Sequence, residues 1–298
     1  MKQRIVLIAL FWLAFLRPSE AAEYGVANTS APVLNTPDFT LVFGGANRHV
    51  LKTDHCGQVR ELEFIALPGT VFTLLKKLHS GSADVYQVKT DEYVTPPHVR
   101  LFVDGRFLRL EHAVPEPRRP VLPLREEILS ALRAAVGSPY VWGSNVLDGV
   151  PELEAWFYDG IKTVDKKRLI LAGLDCSGLL YYATGGWTPR NTSQLITFGQ
   201  GVVIAGKQSA EIATLLQPLD LIVWNGHVII VLDRQTAIES RLECGGTGNG
   251  GVVISPLTRR IADIMRTRRP ADTWPSDKKL PDVFVIRRWY GQTCRLPR

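Results

Sequence analysis

Cysteine is scarce in this sequence, and its scarcity limits the roles that the residue can have. The 298 residues include four cysteines, Cys56, Cys176, Cys244 and Cys294. Small exported domains that depend on disulfides carry them more densely, so this fold is expected to rest on an ordinary hydrophobic core, for which an apolar content of 45% is ample. If Cys176 stays a free thiol, at most one disulfide can form within the chain among the other three.

Long apolar runs are also lacking. The N-terminal run MKQRIVLIALFWLAFL stops at Arg17 and Pro18, so it is shorter than the ~20 apolar residues of a membrane-spanning helix. Its basic residues and the small residues Ser19 and Ala21 are typical of a secretory signal peptide, predicted over residues 1–22. An uncleaved membrane anchor is the alternative. The signal peptide predicts export to the periplasm or cell envelope, with no stable membrane insertion after cleavage.

Proline is concentrated in one stretch, residues 112–123, with the sequence HAVPEPRRPVLP. That composition is typical of a stiff, extended linker, so the chain is predicted to divide there into residues 23–111 and residues 124–298. The first part contains short segments rich in β-branched and aromatic residues, separated by turn residues such as Asp104 and Gly105, a hairpin signal. It is expected to form a small β-barrel and, since no catalytic pattern occurs in it, to bind or position a ligand.

The second part begins with a predicted helix and ends with a predicted antiparallel sheet, an α+β arrangement. The apolar spacing predicts a helix that ends at Gly137, and GLDCSGLLYYATGG predicts a second, short helix that ends at Gly185 and Gly186. The buried face expected for the first helix comprises Ile128, Leu129, Leu132, Ala135 and Val136. Strands are predicted at residues 219–224, 227–232 and 236–240, with another in GGVVISPL.

Cys176 stands between two polar residues, Asp175 and Ser177, just before an apolar run. A cysteine that only fills a core usually has apolar neighbours. At the first turn of a helix, the backbone N–H groups and the positive end of the helix dipole stabilise a thiolate, and the same N–H groups can hold the oxyanion of an acyl-transfer intermediate. We therefore interpret Cys176 as a nucleophile, with Asp175 and Ser177 either contacting a substrate or only capping the helix.

Histidine is almost absent from the second part of the chain. Of six histidines, His227 alone follows the linker, at the start of an apolar strand. A thiol needs a base to become a strong nucleophile near neutral pH, and histidine usually supplies it. A histidine satisfied within a core is the alternative, but the pairing with Cys176 favours a catalytic base.

The order of the motifs GSPYVWG, LDCSGLLY, TPRNTSQL, LQPLDLIVWNGHVIIVLD and AIES resembles the NlpC-type cell-wall cysteine peptidases, over residues 124–260. The resemblance implies a papain-like cysteine peptidase domain, with helices packed on an antiparallel sheet. The strand-rich first part resembles the bacterial SH3-like domains that often precede it. The implied activity is that of a peptidoglycan hydrolase, cleaving the stem peptide between γ-D-glutamate and a diamino acid such as diaminopimelate. Peptidoglycan stem peptides are then the expected partner.

The same resemblance implies roles for individual residues. Cys176 matches the nucleophile and His227 matches the base. Tyr140, in the PYVWG loop, matches a tyrosine that lines the substrate site near the nucleophile. Asp175 and Ser177 match positions that, together with the SH3-like domain, hold the free amino end of the stem peptide in some relatives.

Two features depart from the family pattern. Residues 144–174 form a longer segment than most relatives carry, and it is expected to reshape one wall of the cleft. The third catalytic position, commonly histidine, is Glu239 here. If residues 233–235 form a three-residue turn, His227 and Glu239 lie on one sheet face as diagonal neighbours, where the carboxylate can orient the imidazole. A two-residue turn would place Glu239 on the opposite face, and an ordinary solvent-exposed carboxylate is the alternative interpretation.

Other functions would use the same residues differently. An N-acetylmuramoyl-L-alanine amidase would cut between muramic acid and L-alanine, a wall-binding protein would keep the fold without activity, and a papain-like acyltransferase would use the same thiol. Basic residues crowd the sequences LTRRIADIMRTRRP and VIRRWYGQTCRLPR, in a chain of net charge +6. We interpret these basic residues either as a surface that attracts an anionic wall polymer or as an ordinary solvated surface. Nucleic acid is not an expected partner, because no nucleic-acid motif accompanies this charge.

No metal or other cofactor is expected. Cys176, His227 and Cys244 are the residues that could gather around zinc, but no C-x-x-C or H-x-x-x-H spacing supports such a site. With one histidine after the linker, a complete ligand set is hard to assemble.

Overall fold

The computed structural model describes residues 24–80, 83–160, 166–246, 250–276 and 282–291. The predicted signal peptide and Cys294 lie outside the described residues. The strands are β1 (Tyr24–Ala27), β2 (Ala31–Leu34), β3 (Phe43–Gly44), β4 (Val50–Leu51), β5 (Leu62–Ala66), β6 (Val71–Ser80), β7 (Ala83–Lys89), β8 (Leu101–Asp104), β9 (Leu108–Glu111), β10 (Asn145–Val146), β11 (Gly173–Leu174), β12 (Gln200–Gly201), β13 (Leu221–Trp224), β14 (His227–Val231), β15 (Thr236–Leu242), β16 (Gly250–Pro256), β17 (Arg269–Pro270) and β18 (Val283–Arg288). The helices are α1 (Phe39–Val42), α2 (Arg125–Ala134), α3 (Pro151–Phe157), α4 (Lys166–Leu169), α5 (Cys176–Ala183), α6 (Thr192–Leu195), α7 (Ser209–Leu215) and α8 (Leu257–Met265), with a 3₁₀ turn at Gly105–Phe107.

The N-terminal strands form an open antiparallel sheet. Its seven strands lie in the order β5-β2-β8-β7-β6-β1-β9. Within the described residues the edge strands β5 and β9 do not pair with each other, so the predicted SH3-like β-barrel is not observed as a closed barrel. The outer edge of β5 is bonded instead by the Asn145 side chain, whose Oδ1 accepts the Ile65 N–H at 3.3 Å and whose Nδ2 donates to the Ile65 carbonyl at 3.0 Å.

The hairpin predicted at Asp104 and Gly105 is wrong. Strand β8 pairs with β2 and β7, whereas β9 pairs with β1 at the far edge of the sheet. The Asp104 carboxylate accepts the Arg106 N–H at 2.9 Å, and this local bond begins the 3₁₀ turn. The turn carries the chain across the end of the sheet instead of folding β9 back onto β8.

The C-terminal part contains a second antiparallel sheet with helices on both faces. Its strands lie in the order β12-β18-β13-β14-β15-β16, and β17 runs parallel to β18. Leu221 and Val223 belong to the core beneath α2 and α5, while Ile222 belongs to the core beneath α7 and α8. Because both faces are covered, β13 and β14 are apolar along nearly their whole length. Helices packed on an antiparallel sheet are the architecture that the sequence predicted.

The first predicted helix is present as α2. The Leu124 N–H, just before it, donates to the Glu127 carboxylate at 2.7 Å, and Gly137 follows its end with a φ of +83°. Four of the five residues expected on its buried face are buried, but Val136 is 45% exposed because it lies beyond the last helical turn. None of the helices in the described ranges is long and apolar enough to cross a membrane.

The long segment 144–174 packs against the N-terminal sheet. Side chains from this segment share one buried cluster with those of the sheet: Val150, Leu153, Phe157, Tyr158, Leu169 and Leu171. Lys167, Arg168 and Ala172 from the same segment help to line a cavity beside Tyr140. The segment therefore joins the N-terminal core and forms a wall next to a residue of the predicted site.

A disulfide and a hydrogen-bonded ion pair are among the links that fasten the N-terminal part to the C-terminal part. A disulfide joins Cys56, in the loop after β4, to Cys244, just after β15. Within the proline-rich stretch, Arg118 Nη2 lies 2.6 Å from Glu92 Oε2 and donates to the Tyr181 hydroxyl at 3.0 Å. The second link ties the linker both to the N-terminal part and to α5.

The disulfide is expected to contribute strongly to stability. Its two cysteines are 188 residues apart, and a cross-link across so long a loop removes much of the conformational entropy of the unfolded chain. Replacing both Cys56 and Cys244 by serine should lower the free energy of unfolding by about 2–4 kcal/mol, as measured by urea denaturation. Reductant should destabilise the wild type and leave the double variant unchanged. Equal stability of the two proteins would contradict this role.

Candidate active site

Cys176 is the first residue of α5, and the sequence around it fixes the start of that helix. Asp175 is the N-cap, and its Oδ1 accepts the Gly178 N–H at 2.6 Å. Glycine fits at position 178 because a Cβ there would overlap the carbonyl oxygen of Ser144. The first N–H groups of a helix have no preceding turn to accept them, so those of Cys176 and Ser177 lie at the free end of α5, beside the thiol.

The Cys176 thiol packs beside the residue that precedes β14. Its Sγ is 3.8 Å from the carbonyl oxygen of Gly226, the residue before His227. The side chain is buried, and Cys176 is the free cysteine of the described residues. Cys244 is bonded to Cys56, so it is not available to join Cys176 and His227 around zinc.

His227 lies between Cys176 and Glu239. Its Nε2 is 2.7 Å from Glu239 Oε2. The other ring nitrogen, Nδ1, is therefore the one that can interact with the Cys176 thiol. Burial of the imidazole favours the neutral ring, but hydrogen bonds and charge interactions with Cys176 and Glu239 outweigh burial and raise the pKa of His227 to about 9. The imidazole therefore keeps its second proton at neutral pH.

The turn between β14 and β15 brings His227 and Glu239 together. Ile230 pairs with Ile238 and Val231 pairs with Ala237, so residues 233–235 form the three-residue turn and the predicted register is confirmed. Asp233 stabilises the turn, since its Oδ1 accepts the N–H groups of Gln235 at 2.9 Å and Thr236 at 2.8 Å.

The Glu239 carboxylate is buried and bonded on both oxygens. Its Oε1 lies 2.6 Å from Arg260 Nε, and its Oε2 accepts Arg260 Nη2 at 2.9 Å. Burial raises the pKa of Glu239, but hydrogen bonds from His227 and Arg260 outweigh burial and lower that pKa to about 2. A side chain that is 2% exposed is not the solvent-exposed carboxylate of the alternative interpretation. It is an ionised group held in place beside the imidazole.

Asp175 and Ser177 face the protein interior. The Asp175 carboxylate accepts two hydrogen bonds from Arg190, at 2.6 and 3.1 Å, and Ser177 Oγ accepts a third at 2.9 Å. Arg190 is itself buried and also donates from Nε to Asn145 at 3.0 Å. The capping role of Asp175 is thus observed, with its charge already paired. A role for Asp175 and Ser177 in holding the amino end of a substrate stays a prediction.

Tyr140 is buried close to Cys176. Burial, and then electrostatic interactions with Asp175 and Cys176, raise the pKa of its phenol well above the usual value, so Tyr140 stays a neutral hydrogen-bond donor. The residue also lines a cavity of about 570 Å³. Its predicted contact with a substrate stays a prediction, and its position between the thiol and a cavity is suited to that contact.

Two buried or half-buried arginines support the site, and sequence reasoning missed both. Arg260 lies on α8, where it directly precedes the buried Ile261. The helical spacing of Leu257, Ile261 and Ile264 could have placed Arg260 at the border of the buried face instead of on a solvated surface. Arg190 lies outside helices and strands, and its sequence context gives no comparable signal.

No protein-family model matches this sequence, and no curated protein does either. Among solved structures, the chain is similar to an NlpC/P60 family protein from Bacillus cereus, with 14% identity, a TM-score of 0.33 and coverage of 90% of this chain and 64% of that one. RipD from Mycobacterium tuberculosis, described as a non-catalytic NlpC/p60 domain protein adapted to peptidoglycan binding, shows 20% identity, a TM-score of 0.30 and coverage of 46% and 89%. NlpC2 from Trichomonas vaginalis shows 13% identity, a TM-score of 0.29 and coverage of 90% and 73%.

The chain spans 64% of the length of the Bacillus protein. Because identities and TM-scores are low in all three comparisons, the functional assignment depends on the residues of the site.

Proposed function

We propose that this chain is an exported peptidoglycan hydrolase of the NlpC/P60 type, a cysteine endopeptidase that cleaves the stem peptide between γ-D-glutamate and the diamino acid. The supporting observation is the arrangement of three side chains. Cys176 lies at the free N-terminal end of α5, and the neighbouring His227 is bonded to the buried Glu239. The motif order from GSPYVWG to AIES supplies the substrate class.

The proposed reaction begins with the Cys176 thiolate beside the His227 imidazolium. Sγ attacks the carbonyl carbon of the γ-glutamyl amide, and the carbonyl oxygen becomes an oxyanion beside the N–H groups of Cys176 and Ser177. His227, which is protonated at neutral pH because its pKa is about 9, donates its proton to the amide nitrogen. The C–N bond breaks, the diamino acid leaves as an amine, and a thioester remains on Cys176.

Water then completes the cycle. The neutral His227 removes a proton from a water molecule, whose oxygen attacks the thioester carbonyl. The C–S bond breaks, the glutamyl fragment leaves with a free carboxyl group, and the thiolate and imidazolium are restored. Glu239 fixes the orientation of the imidazole and stabilises its positive charge, while Arg260 holds the carboxylate in place.

Digestion of defined muropeptides tests this function. The wild-type protein is expected to release a fragment that begins with the diamino acid, identified by its mass, because the thiol attacks the γ-glutamyl carbonyl. Substrates with a free or a muramyl-substituted L-alanine should be compared, since relatives differ in this requirement. Release of the whole stem peptide would instead identify an amidase. Intact substrates, at protein concentrations where binding is measurable, would identify a wall-binding protein and contradict the proposal.

A further inference from the structure

A cavity of about 570 Å³ lies where the N-terminal part meets the C-terminal part. Its walls come from the loop around residues 53–59, the loop of Tyr140 and the segment that includes α4. The volume is within the range of small-ligand sites, which combine an apolar lining with a few polar groups. The apolar lining is supplied by Leu51, Val59, Pro139, Val141, Leu171 and Ala172.

The charged groups of this cavity are mainly basic. Lys167 and Arg168 line it, and the described residues include no carboxylate paired with either; the Arg168 contact is a hydrogen bond from Nη2 to the Thr53 hydroxyl at 3.2 Å. The neighbouring Lys166, by contrast, is ion-paired with Glu154 at 2.7 Å. The cavity therefore holds uncompensated positive charge on one wall.

The acidic residue of the lining does not cancel this charge. The Asp54 carboxylate accepts the N–H groups of Cys56 and Gln58 at 2.8 and 2.9 Å, and lies 2.6 Å from Arg60 Nε. Its negative charge is therefore already paired with Arg60 and with N–H groups of its own loop. A ligand with an anionic group would thus find two cations, Lys167 and Arg168, without a competing partner among the described residues.

We propose that this cavity binds a carboxylate of the peptide ligand through Lys167 and Arg168, as a specificity site next to the reacting thiol. The proposal rests on the proposed function. Tyr140 joins the two places, because it lines the cavity and its neighbours Pro139 and Val141 are hydrogen-bonded to Leu174, two residues before Cys176. A γ-linked glutamate keeps its α-carboxylate free, and a terminal diaminopimelate carries two more, one at the end of the chain and one on its side chain. Any of the three can supply the anionic group.

Equilibrium binding tests the proposal without cleavage. The probe is the tripeptide L-Ala-γ-D-Glu-diaminopimelate, titrated into the full-length Cys176→Ala protein by calorimetry. Adding Lys167→Gln and Arg168→Gln should weaken binding on the order of tenfold, because charge-assisted hydrogen bonds are lost. Lys166→Gln is the matched control, since its side chain pairs with Glu154 outside the cavity, and it should leave the dissociation constant unchanged.

Three amidated probes identify the carboxylate. They carry a carboxamide at the glutamate α position, at the C-terminal carboxyl of diaminopimelate, or at its side-chain carboxyl. The probe whose binding no longer depends on Lys167 and Arg168 has lost the group that the cavity recognises. The proposal is overturned if the tripeptide does not bind, or if the double substitution weakens the tripeptide and all three amidated probes equally or not at all.

The carboxylate-site proposal and the proposed function can fail separately. If the wild-type protein binds the tripeptide through Lys167 and Arg168 but releases no fragment, the carboxylate site stands and the peptidase assignment is wrong. If the protein with Lys167→Gln and Arg168→Gln cleaves and binds as the wild type does, only the carboxylate-site proposal is wrong.

Discussion

Replacing Cys176 by alanine is expected to reduce muropeptide cleavage to background, a loss of kcat on the order of 10⁶-fold. The proposed reaction forms its covalent bond at Sγ, and the remaining groups of the site cannot replace that bond. Product release is measured by mass spectrometry against the wild-type protein. Cys176→Ser supplies a smaller change of shape, and it should also be inactive because a hydroxyl is a far weaker nucleophile near neutral pH.

Folding must be measured beside activity for these variants. Cys176 is 7% exposed, so removing one sulfur atom leaves only a small cavity and should cost about 1 kcal/mol or less of stability. Urea denaturation should therefore show a protein that is still folded, with the Cys56–Cys244 disulfide intact by mass. A folded Cys176→Ala protein that cleaves at the wild-type rate would exclude Cys176 as the nucleophile.

Replacing Glu239 by alanine is expected to lower kcat on the order of 10²-fold. Without the bond at 2.7 Å from Oε2 to Nε2, the His227 ring is no longer held in one orientation and its positive charge is less stabilised. Glu239→Gln should lose less activity, because an amide oxygen can still accept the ring N–H. The partial rescue separates an orienting role from a purely structural one.

The pH dependence of the same variants tests the electrostatic part of this role. His227 must be protonated to deliver a proton to the leaving amine, so wild-type activity should fall as pH rises through about 9, the raised pKa of the imidazole. The Glu239 anion is one of the groups that raise it. Both Glu239→Ala and Glu239→Gln remove that anion, lower the pKa of His227 and should move the alkaline limb of the pH–rate profile to lower pH.

A matched control for Glu239 is available among the exposed glutamates. Glu243 follows β15, is 49% exposed and pairs with Arg241 at 2.7 Å. Glu243→Ala is therefore expected to leave both kcat and the pH–rate profile unchanged. If Glu239→Ala behaved like Glu243→Ala, the carboxylate would have no part in orienting His227.

The parts of the structure that sequence reasoning predicted depend on short-range patterns. The start of α5 at Cys176 follows from the N-cap residue Asp175, and the register of β14 and β15 follows from the length of the turn that Asp233 stabilises. Given that register, the meeting of His227 and Glu239 was a geometric consequence. These features were accessible because each of them lies within a single helix start or a single hairpin, where local patterns fix the geometry.

The parts that sequence reasoning missed depend on partners far apart in the chain. Arg260 reaches Glu239 from α8, and Arg190 reaches Asp175 from a segment without regular structure. Asn145 bonds to the edge of β5 at Ile65, although the two residues are 80 positions apart in the chain. A closed barrel was predicted because the sequence does not reveal this contact. Local patterns specify which residues form a strand or a helix, but they do not specify which distant side chain fills an unpaired edge or neutralises a buried charge.

The most direct test of the central claim is rapid-quench mass spectrometry of the wild-type protein during cleavage of a muropeptide. The proposed reaction requires a transient thioester, so the proteolytic fragment that contains Cys176 should gain the mass of the glutamyl portion of the substrate, and this adduct should form no later than the amine product. The adduct should be absent from the Cys176→Ala protein. Cleavage at the γ-glutamyl bond without any adduct on Cys176, or with an adduct on another residue, would contradict the account.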